Sequence, residues 1–327
     1  MVHIAFVIDP IETLNLKKDS TLAMIRAAQQ REWRISILEQ SDLVWDGERV
    51  IAFTRDLRLE DGFAKSLDPD QASSQWFQCA EEEALPLGEI NIVMMRKDPP
   101  FDMDYIYSTY LLERGQSEGA LVVNNPRSLR DCNEKFFATA FANFQPPSLV
   151  SSREDLLLAF HRKHHDVIFK KLDGMGGVGI FRASKSDPNV RVIVETLTDD
   201  GKRQIMAQKY IPEIVDGDKR ILLIDGEPLP YALARIPASG ETRGNLAAGG
   251  TGVGQPLSPR DKEIAEALGP ELRARGLMFV GIDVIGNYLT EVNVTCPTCI
   301  REIDASFGLD IAAMLLDAIE QKLRDAQ

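Results

Sequence analysis

Positive charge is scarce in this 327-residue chain: 37 Lys and Arg stand against 50 Asp and Glu, for a formal net charge of −13. A surface that neutralises nucleic-acid phosphates needs the opposite balance, so nucleic acid is not expected as a partner. Long apolar runs are missing as well. None approaches the ~20 residues of a membrane span, and no membrane partner is expected. The first residues, Met-Val-His-Ile-Ala-Phe-Val-Ile-Asp-Pro, have no charged n-region and read as a strand instead of a signal peptide. There are four cysteines. Cys79 and Cys132 read as ordinary reduced thiols. Cys296-Pro-Thr-Cys299 has redox-motif spacing but does not open a helix after a first strand, and no second C-x-x-C completes a zinc site. Internal repeats, low-complexity tracts, a G-x-S-x-G elbow and a Walker loop are all absent. What remains is 44% hydrophobic and 27% charged, enough for two to three domains with real cores. A cytoplasmic enzyme is the expectation.

The most informative stretch is Gly281-Ile-Asp-Val-Ile-Gly-Asn-Tyr-Leu-Thr-Glu-Val-Asn293. Asp283, Glu291 and Asn293 lie among strand-forming apolar residues, where an unpaired carboxylate is costly to bury. Oxygen donors without His or thiolate suit a hard ion, Mg²⁺ or Mn²⁺, holding a substrate phosphate. The segment reads as strand, Gly-Asn turn, strand. A plain two-residue turn would pair Ile282 with Glu291 and put Asp283 on the other face. An odd-length loop or a bulge would set Asp283 across from Glu291, with Asn293 on the same face. The metal reading needs that shifted register. Two surface carboxylates flanking a hairpin is the competing reading.

Upstream, Gly174-Met175-Gly176-Gly177-Val-Gly179 matches the dinucleotide fingerprint in letters only, because Ile180-Phe-Arg182 continues as strand where a helix is required. The remaining reading is a hairpin whose glycine tip lets backbone N–H groups approach phosphates, with Lys170 on the incoming strand. A bland glycine turn stays open.

Alternating strands and helices over residues 1–124 imply an α/β fold with an open, mainly parallel sheet. The strands expected are Val2–Ile8, Arg34–Leu38, Ile90–Met95 and Leu121–Val123; the helices are Ser20–Gln30 and Tyr105–Gly119. A helix from about Asp131 carries Lys135. Leu156–His161 continues as helix, ending in a solvated His161-Arg-Lys-His-His165. Another helix spans Asn189–Leu197, and Met206–Ile211 opens the final region. Pro237–Gly254, rich in glycine and polar residues, reads as a long functional loop.

A basic strand with a glycine hairpin, followed by an Asp/Glu/Asn site, is the layout of the ATP-grasp ligases. The chain resembles bacterial glutathione synthetases along essentially its whole length. The matching blocks include Arg96-Lys-Asp-Pro-Pro-Phe-Asp102, Asn125-Pro-Arg-Ser-Leu-Arg-Asp-Cys-Asn-Glu-Lys135, Asp216-Gly-Asp-Lys-Arg220 and Gly240-Glu-Thr-Arg-Gly-Asn-Leu-Ala-Ala-Gly-Gly250. Lys171 stands where the family usually has Pro, and Cys296 where Ser is expected. The resemblance implies an N-terminal domain at 1–124 followed by a two-lobed ATP-grasp domain. The small lobe would span 125–204, and the large lobe 205–327 with a flap at 237–254. It also implies condensation of γ-L-glutamyl-L-cysteine with glycine at the expense of ATP, by a homo-oligomer for which a tetramer is one form.

The same resemblance implies the site residues. Lys135 and Lys170 contact ATP phosphates, covered by Gly174, Met175, Gly176 and Gly177. Main-chain groups of Gln208, Lys209, Tyr210 and Ile211 bind adenine, and Asp218 joins the nucleotide set. Asp283, Glu291 and Asn293 hold Mg²⁺ or Mn²⁺. Arg220 and Arg235 neutralise the acyl phosphate or γ-phosphate, a structural ion pair being the other reading for Arg220. Lys18, Asp19 and Ser20 face the dipeptide, and Arg301 binds a substrate carboxylate through its guanidinium fork. Arg243 and Asn245 close over the intermediate. Acyl phosphates hydrolyse readily, so a lid must exclude water. Proteolytic nicking near Arg243 is therefore expected to lower turnover more than ATP binding. Unchanged turnover with a cut loop would reject the lid role.

Overall fold

Five consecutive buried residues, His3–Val7, form β1, the centre of the first sheet in this computed structural model. The structure describes all residues except Ser74, Ala247, Ala248, Ala326 and Gln327, together with the side chain of Gln71. Two residues of the expected flap, Ala247 and Ala248, thus lie outside the described set. After β1 come α1 (Ser20–Gln30), β2 (Arg34–Leu38), β3 (Leu43–Trp45), β4 (Val50–Leu59) and α2 (Asp61–Ser66). β5 (Phe77–Pro86), β6 (Ile92–Met95), α3 (Met103–Ser117) and β7 (Leu121–Val123) complete this part. α1 begins where Asp19 accepts from the Thr21 and Leu22 N–H groups at 2.7 and 3.1 Å, satisfying donors that the first turn leaves unpaired.

β2, β1, β6 and β7 pair in parallel, as βα alternation requires. The other half is antiparallel, and its β3–β4 hairpin turns at Asp46-Gly47, where the sequence predicts a hairpin. β4 pairs antiparallel with β2, β3 and β5, adding a hairpin edge to the parallel centre.

α4 (Pro126–Asp131) and α5 (Glu134–Phe137) follow, then β8 (Ser148–Ser151), α6 (Glu154–His164), β9 (Val167–Lys171), β10 (Ile180–Ala183), α7 (Val190–Thr198) and β11 (Ile205–Lys209). Lys135 rides on α5, not on one helix from Asp131. The chain breaks at Cys132, and Asn133 caps the new start by accepting from the Lys135 and Phe136 N–H groups at 3.2 and 2.9 Å. β8 to β11 form an antiparallel sheet in the order β10-β9-β11-β8. β11 therefore belongs to the second sheet, and the change of sheet falls after Lys209 instead of at the expected 204/205. The end of α6 also differs from expectation: His161 is buried and its Nε2 lies 3.0 Å from the Ser184 carbonyl oxygen.

The third sheet, in the order β14-β13-β12-β15-β16, uses β12 (Asp218–Ile224), β13 (Glu227–Ile236), β14 (Thr251–Pro256), β15 (Phe279–Ile285) and β16 (Tyr288–Asn293). α8 (Pro259–Ala274), α9 (Ile300–Phe307) and α10 (Ile311–Asp325) pack around it. Residues 251–254, expected as flap, are strand, because β13 supplies β14 with a full backbone partner.

Two cores run continuously from the first sheet into the third, one of them joining Phe6 and Leu22 with Leu222, Phe279 and Leu316. The second sheet keeps its own core of Leu157, Val167, Phe169, Val194 and Ile205 with their neighbours. Asn124 ties the first sheet to the third. It donates to the Phe279 and Val294 carbonyls at 2.7 Å each and accepts from the Phe279 N–H at 2.9 Å. Each buried backbone group left unpaired costs about 1–3 kcal/mol. Asn124→Ala is accordingly expected to lower stability by at least ~3 kcal/mol, read as a shifted urea midpoint at unchanged slope.

Candidate active site

Three polar side chains of the last hairpin come together because its pairing slips by one residue. β15 and β16 meet at a two-residue turn, so Ile285 faces Tyr288 and Val284 faces Leu289. The register then shifts past Thr290, and Asp283 lies across from Glu291 and Gly281 across from Asn293. A bulge, not an odd-length loop, delivers the shifted register. Thr290 Oγ1 fastens it by donating to the Asp283 carbonyl at 3.1 Å.

Asp283 is buried and fully engaged. Arg220 grips it through Nε at 2.6 Å and Nη2 at 3.0 Å, Arg235 Nη2 approaches at 2.9 Å, and Asn293 Nδ2 at 3.3 Å. Burial alone would raise this carboxyl; the two guanidiniums outweigh it and hold it well below the ordinary range. Arg220 and Arg235 arrive from adjacent strands: β12 pairs with both β13 and β15, placing Arg220 opposite Asp283. A Cβ on Gly281 would stand 2.9 Å from Arg220 Cδ, so glycine is needed there to let the guanidinium lie flat. Arg235 also holds Asp218, at 2.6 Å. Burial pushes Asp218 up to about 6 despite Arg235, and its Oδ1 has no hydrogen-bond partner among the described residues.

Glu291 faces two lysines. Lys135 Nζ and Lys170 Nζ each lie 3.8 Å from Glu291 Oε1, and both lysines are almost fully buried. Lys135 also donates to the Gly174 carbonyl at 2.5 Å and to Glu134. Burial depresses Lys170, with Glu291 opposing, whereas at Lys135 the carboxylates of Glu291 and Glu134 outweigh burial and raise it. Burial drives Glu134 up to about 7 even beside Lys135.

The glycine hairpin closes on this group. Gly176 and Gly177 have φ of 61° and 85°, the left-handed region open to glycine. Arg243 Nη1 donates to the Gly177 carbonyl at 3.3 Å, so the arm before residue 247 rests on the hairpin. A cleft of about 740 Å³ lies between the second and third sheets, lined by Lys170, the 174–177 loop, residues 208–211, Asp218, residues 242–245 and Glu291. In the expected adenine segment, the Lys209 and Tyr210 N–H groups are already used by the Pro147 and Asp166 carbonyls, at 2.9 and 3.0 Å. The Ile211 carbonyl accepts from the Ile214 N–H at 3.2 Å, which leaves the Ile211 N–H without a partner among the described residues. A second cleft, about 1130 Å³, shares Met175, Gly176, Asn245 and Glu291 with the first and continues past Arg220, Arg235 and Asn293 to Lys18, Asp19 and Glu302.

Two expected substrate residues do not reach that cleft. Arg301 donates Nη2 to the Leu67 carbonyl at 2.6 Å and Nη1 to the Leu16 carbonyl, so its fork is spent on the chain itself. Ser20 is 1% exposed, with its hydroxyl accepting from the Ile300 N–H at 3.4 Å. Asp98, Glu134 and Glu302 line the cleft without having been singled out from sequence. Only burial in three dimensions marks them: it pushes all three carboxyls up. Cys296 lines the cleft too, but burial pushes its thiol up to about 11, and its S–H is spent on the Arg96 carbonyl at 3.2 Å. All four cysteines are free thiols.

The donor set fits a hard divalent cation. Asn293 spends Nδ2 on Asp283 and on the Gly281 carbonyl, which leaves its Oδ1 without a partner among the described residues; with Glu291, and with Asp283 whose oxygens here face the two arginines, the donors are all oxygen. Among the described residues no three His, Cys, Asp or Glu side chains gather to offer another metal site.

Known proteins resemble the chain along nearly its whole length. Residues 2–130 match the family model "Prokaryotic glutathione synthetase, N-terminal domain", and residues 134–308 match "Prokaryotic glutathione synthetase, ATP-grasp domain". A Pseudomonas aeruginosa protein named glutathione synthetase is 57% identical over 322 residues, 98% of each chain. A Nitrosomonas europaea protein of the same name is 55% identical over 322 residues, again 98% of each. Among solved structures, D-cycloserine synthetase DcsG superposes with a TM-score of 0.65 at 13% identity, covering 98% of this chain and 99% of that one. The ATP-grasp ligase PsnB with its minimal precursor gives 0.62 at 18%, with the same coverage. At such identities these two speak for the fold alone.

Glu134 makes stability depend on pH. Its folded value, about 7, exceeds the ordinary 4.5, so between those values the folded protein holds a proton that the unfolded chain releases. Stability of the ligand-free protein should therefore fall as pH rises through that window, and Asp218 adds to the fall with the same sign. Urea midpoints measured from pH 4.5 to 7.5 are expected to show a shallower fall in Glu134→Gln than in the unsubstituted protein.

Proposed function

The chain belongs to the prokaryotic glutathione synthetase family, and we propose from that membership how its own residues divide the work. It is an ATP-dependent carboxylate–amine ligase that joins γ-L-glutamyl-L-cysteine to glycine, giving glutathione, ADP and phosphate. The cysteinyl carboxylate attacks the γ-phosphorus and releases ADP. Glycine's amine then attacks the acyl-phosphate carbonyl, and phosphate leaves. The observation that carries our assignment is the meeting of the two clefts at Glu291, with Lys135 and Lys170 on one side and Arg220 and Arg235 on the other.

In our reading the first cleft takes ATP. Adenine meets the main chain of residues 208–211, with the Ile211 N–H as the donor still available. Lys135, Lys170 and the N–H groups of Gly174, Met175, Gly176 and Gly177 receive the phosphates, and Asp218 lies beside them. Glu291, Asn293 and Asp283 hold the divalent metal that the family uses. We assign Mg²⁺, with Mn²⁺ as the second choice. Bound there, a cation neutralises phosphate charge and orients the γ-phosphate.

The dipeptide occupies the second cleft. Arg220 and Arg235 spend Nε and Nη2 on the chain, leaving Nη1 of each for charge developing on the transferring phosphoryl group. Such fixed donors need no reorganisation when charge appears. Lys18 and Asp19 face the dipeptide, and Arg243 and Asn245 exclude water from the acyl phosphate. We further assign the enzyme to the cytoplasm as a homo-oligomer, with a tetramer as one form.

Phosphate release from purified protein with ATP and Mg²⁺ tests the reading. Release is expected only when γ-glutamylcysteine and glycine are both present, with glutathione formed in equal amount. No release with that pair would overturn the substrate assignment. Lys170→Met, which replaces a buried cation by a side chain of similar size, should unfold no earlier than the unsubstituted protein yet lose about 10²-fold or more in kcat.

A further inference from the structure

Glycine near neutral pH carries an ammonium, which has no lone pair to attack with. The product amide keeps one of its three N–H protons, so two must leave. The groups assigned above hold phosphate and metal, and none of them takes a proton from the amine.

The second cleft does not end at the arginines. A third cleft, of about 790 Å³, shares Asp98, Pro99, Glu134, Met175 and Thr295 with it and runs on past Asp173. The charged side chains along this third wall are all carboxylates: Asp98, Glu134 and Asp173. Such a wall favours an amino acid arriving with its ammonium leading. Two of the three carboxylates border both clefts. Glu134 already accepts from Lys135 Nζ, so its charge is met.

Asp98 is different. Its Oδ2 accepts from the uncharged Thr295 hydroxyl, and its Oδ1 is buried with no hydrogen-bond partner among the described residues. The cations beside it in sequence are turned elsewhere. Lys97 Nζ meets Asp9 Oδ1 and the Pro99 carbonyl, each at 2.7 Å. Arg96 donates to the Thr21 hydroxyl at 3.1 Å and to the Pro297 carbonyl at 2.9 Å. The other titratable groups around Asp98 are Glu134 and Lys135 on α5, Tyr105 on α3 and Cys296 after β16. Burial is the largest influence and pushes the Asp98 carboxyl up, against Thr295, Lys97, Arg96 and Lys135. A base gains from a shift in that direction, toward the pH at which it works.

Resting on the function proposed above, we infer that Asp98 is the catalytic base of the second step, its free Oδ1 taking a proton from glycine's ammonium. The lone pair so released forms the C–N bond at the acyl-phosphate carbonyl. The C–O bond to phosphate breaks, its electron pair leaves with phosphate, and the second surplus proton goes to a phosphate oxygen. Asp98 returns its own proton to water through the third cleft.

Asp98→Asn keeps the size of the side chain and an oxygen for Thr295, so it isolates the proton acceptor. It is expected to lower kcat/KM for glycine by about 10²-fold near neutral pH. The deficit should narrow as pH rises from about 7 to about 9, because the free amine becomes up to about tenfold more abundant per pH unit. Hydroxylamine, already neutral at neutral pH, should give the hydroxamate of γ-glutamylcysteine at a rate within about threefold of the unsubstituted protein. Asp98→Glu, which restores a carboxylate, should recover part of the glycine rate, and it serves as the readout if the Asn variant folds poorly. An unchanged glycine rate in Asp98→Asn, or a deficit equal at every pH and for both amines, would overturn the inference. Failure of the underlying function would appear differently, as no glutathione formed by the unsubstituted protein at all.

Discussion

One buried carboxylate organises this molecule. Asp283 lies inside the third sheet, where an unpaired charge could not persist, and two arginines from neighbouring strands must meet it. That requirement fixes the order β13-β12-β15 around it, demands glycine at position 281 and draws Asp218 in as the partner of the second guanidinium. Each arginine gives one edge of its fork to the chain and keeps one nitrogen for the cleft. The ion cluster thus acts twice: it completes the interior of a sheet, and it holds positive charge at a fixed height above the second cleft.

Around it, charge is laid out in alternating layers. Glu291 separates the arginine–aspartate cluster from the lysine pair, and Glu134 lies beyond Lys135. No cation in the group lacks a carboxylate neighbour. An anionic substrate arriving between them would compete with Glu291 for both lysines, and a divalent cation held at Glu291 would supply it with another partner.

Much of this was legible in the sequence because burial of charge leaves a local mark. Asp283, Glu291 and Asn293 stand out among Ile, Val and Leu, and their required register was readable as a constraint. Which of the two devices meets it, an odd-length loop or the bulge found at Thr290, was not, since pairing depends on the partner strand as much as on the turn. Lys170 and the glycine string were readable as hairpin for the same local reason. β14 was not: Thr251-Gly-Val-Gly-Gln-Pro256 has little strand propensity, and only the ladder offered by β13 makes it a strand. Arg301 was misjudged because a guanidinium fork accommodates backbone carbonyls as readily as a ligand carboxylate. Asp98, Glu134 and Glu302 were missed because nothing local distinguishes a carboxylate that will be desolvated from one that will face water.

The separate core of the second sheet has a mechanical consequence. Lys170 belongs to that sheet, whereas Lys135 and Glu291 belong to the body, so the polar contact at Glu291 crosses a seam between two independently packed units. Opening the seam disturbs neither core; it breaks only contacts along its edges. A triphosphate held between the two lysines would act as the fastener of a hinged case, and its cleavage would loosen the clasp at the moment the product is ready to leave.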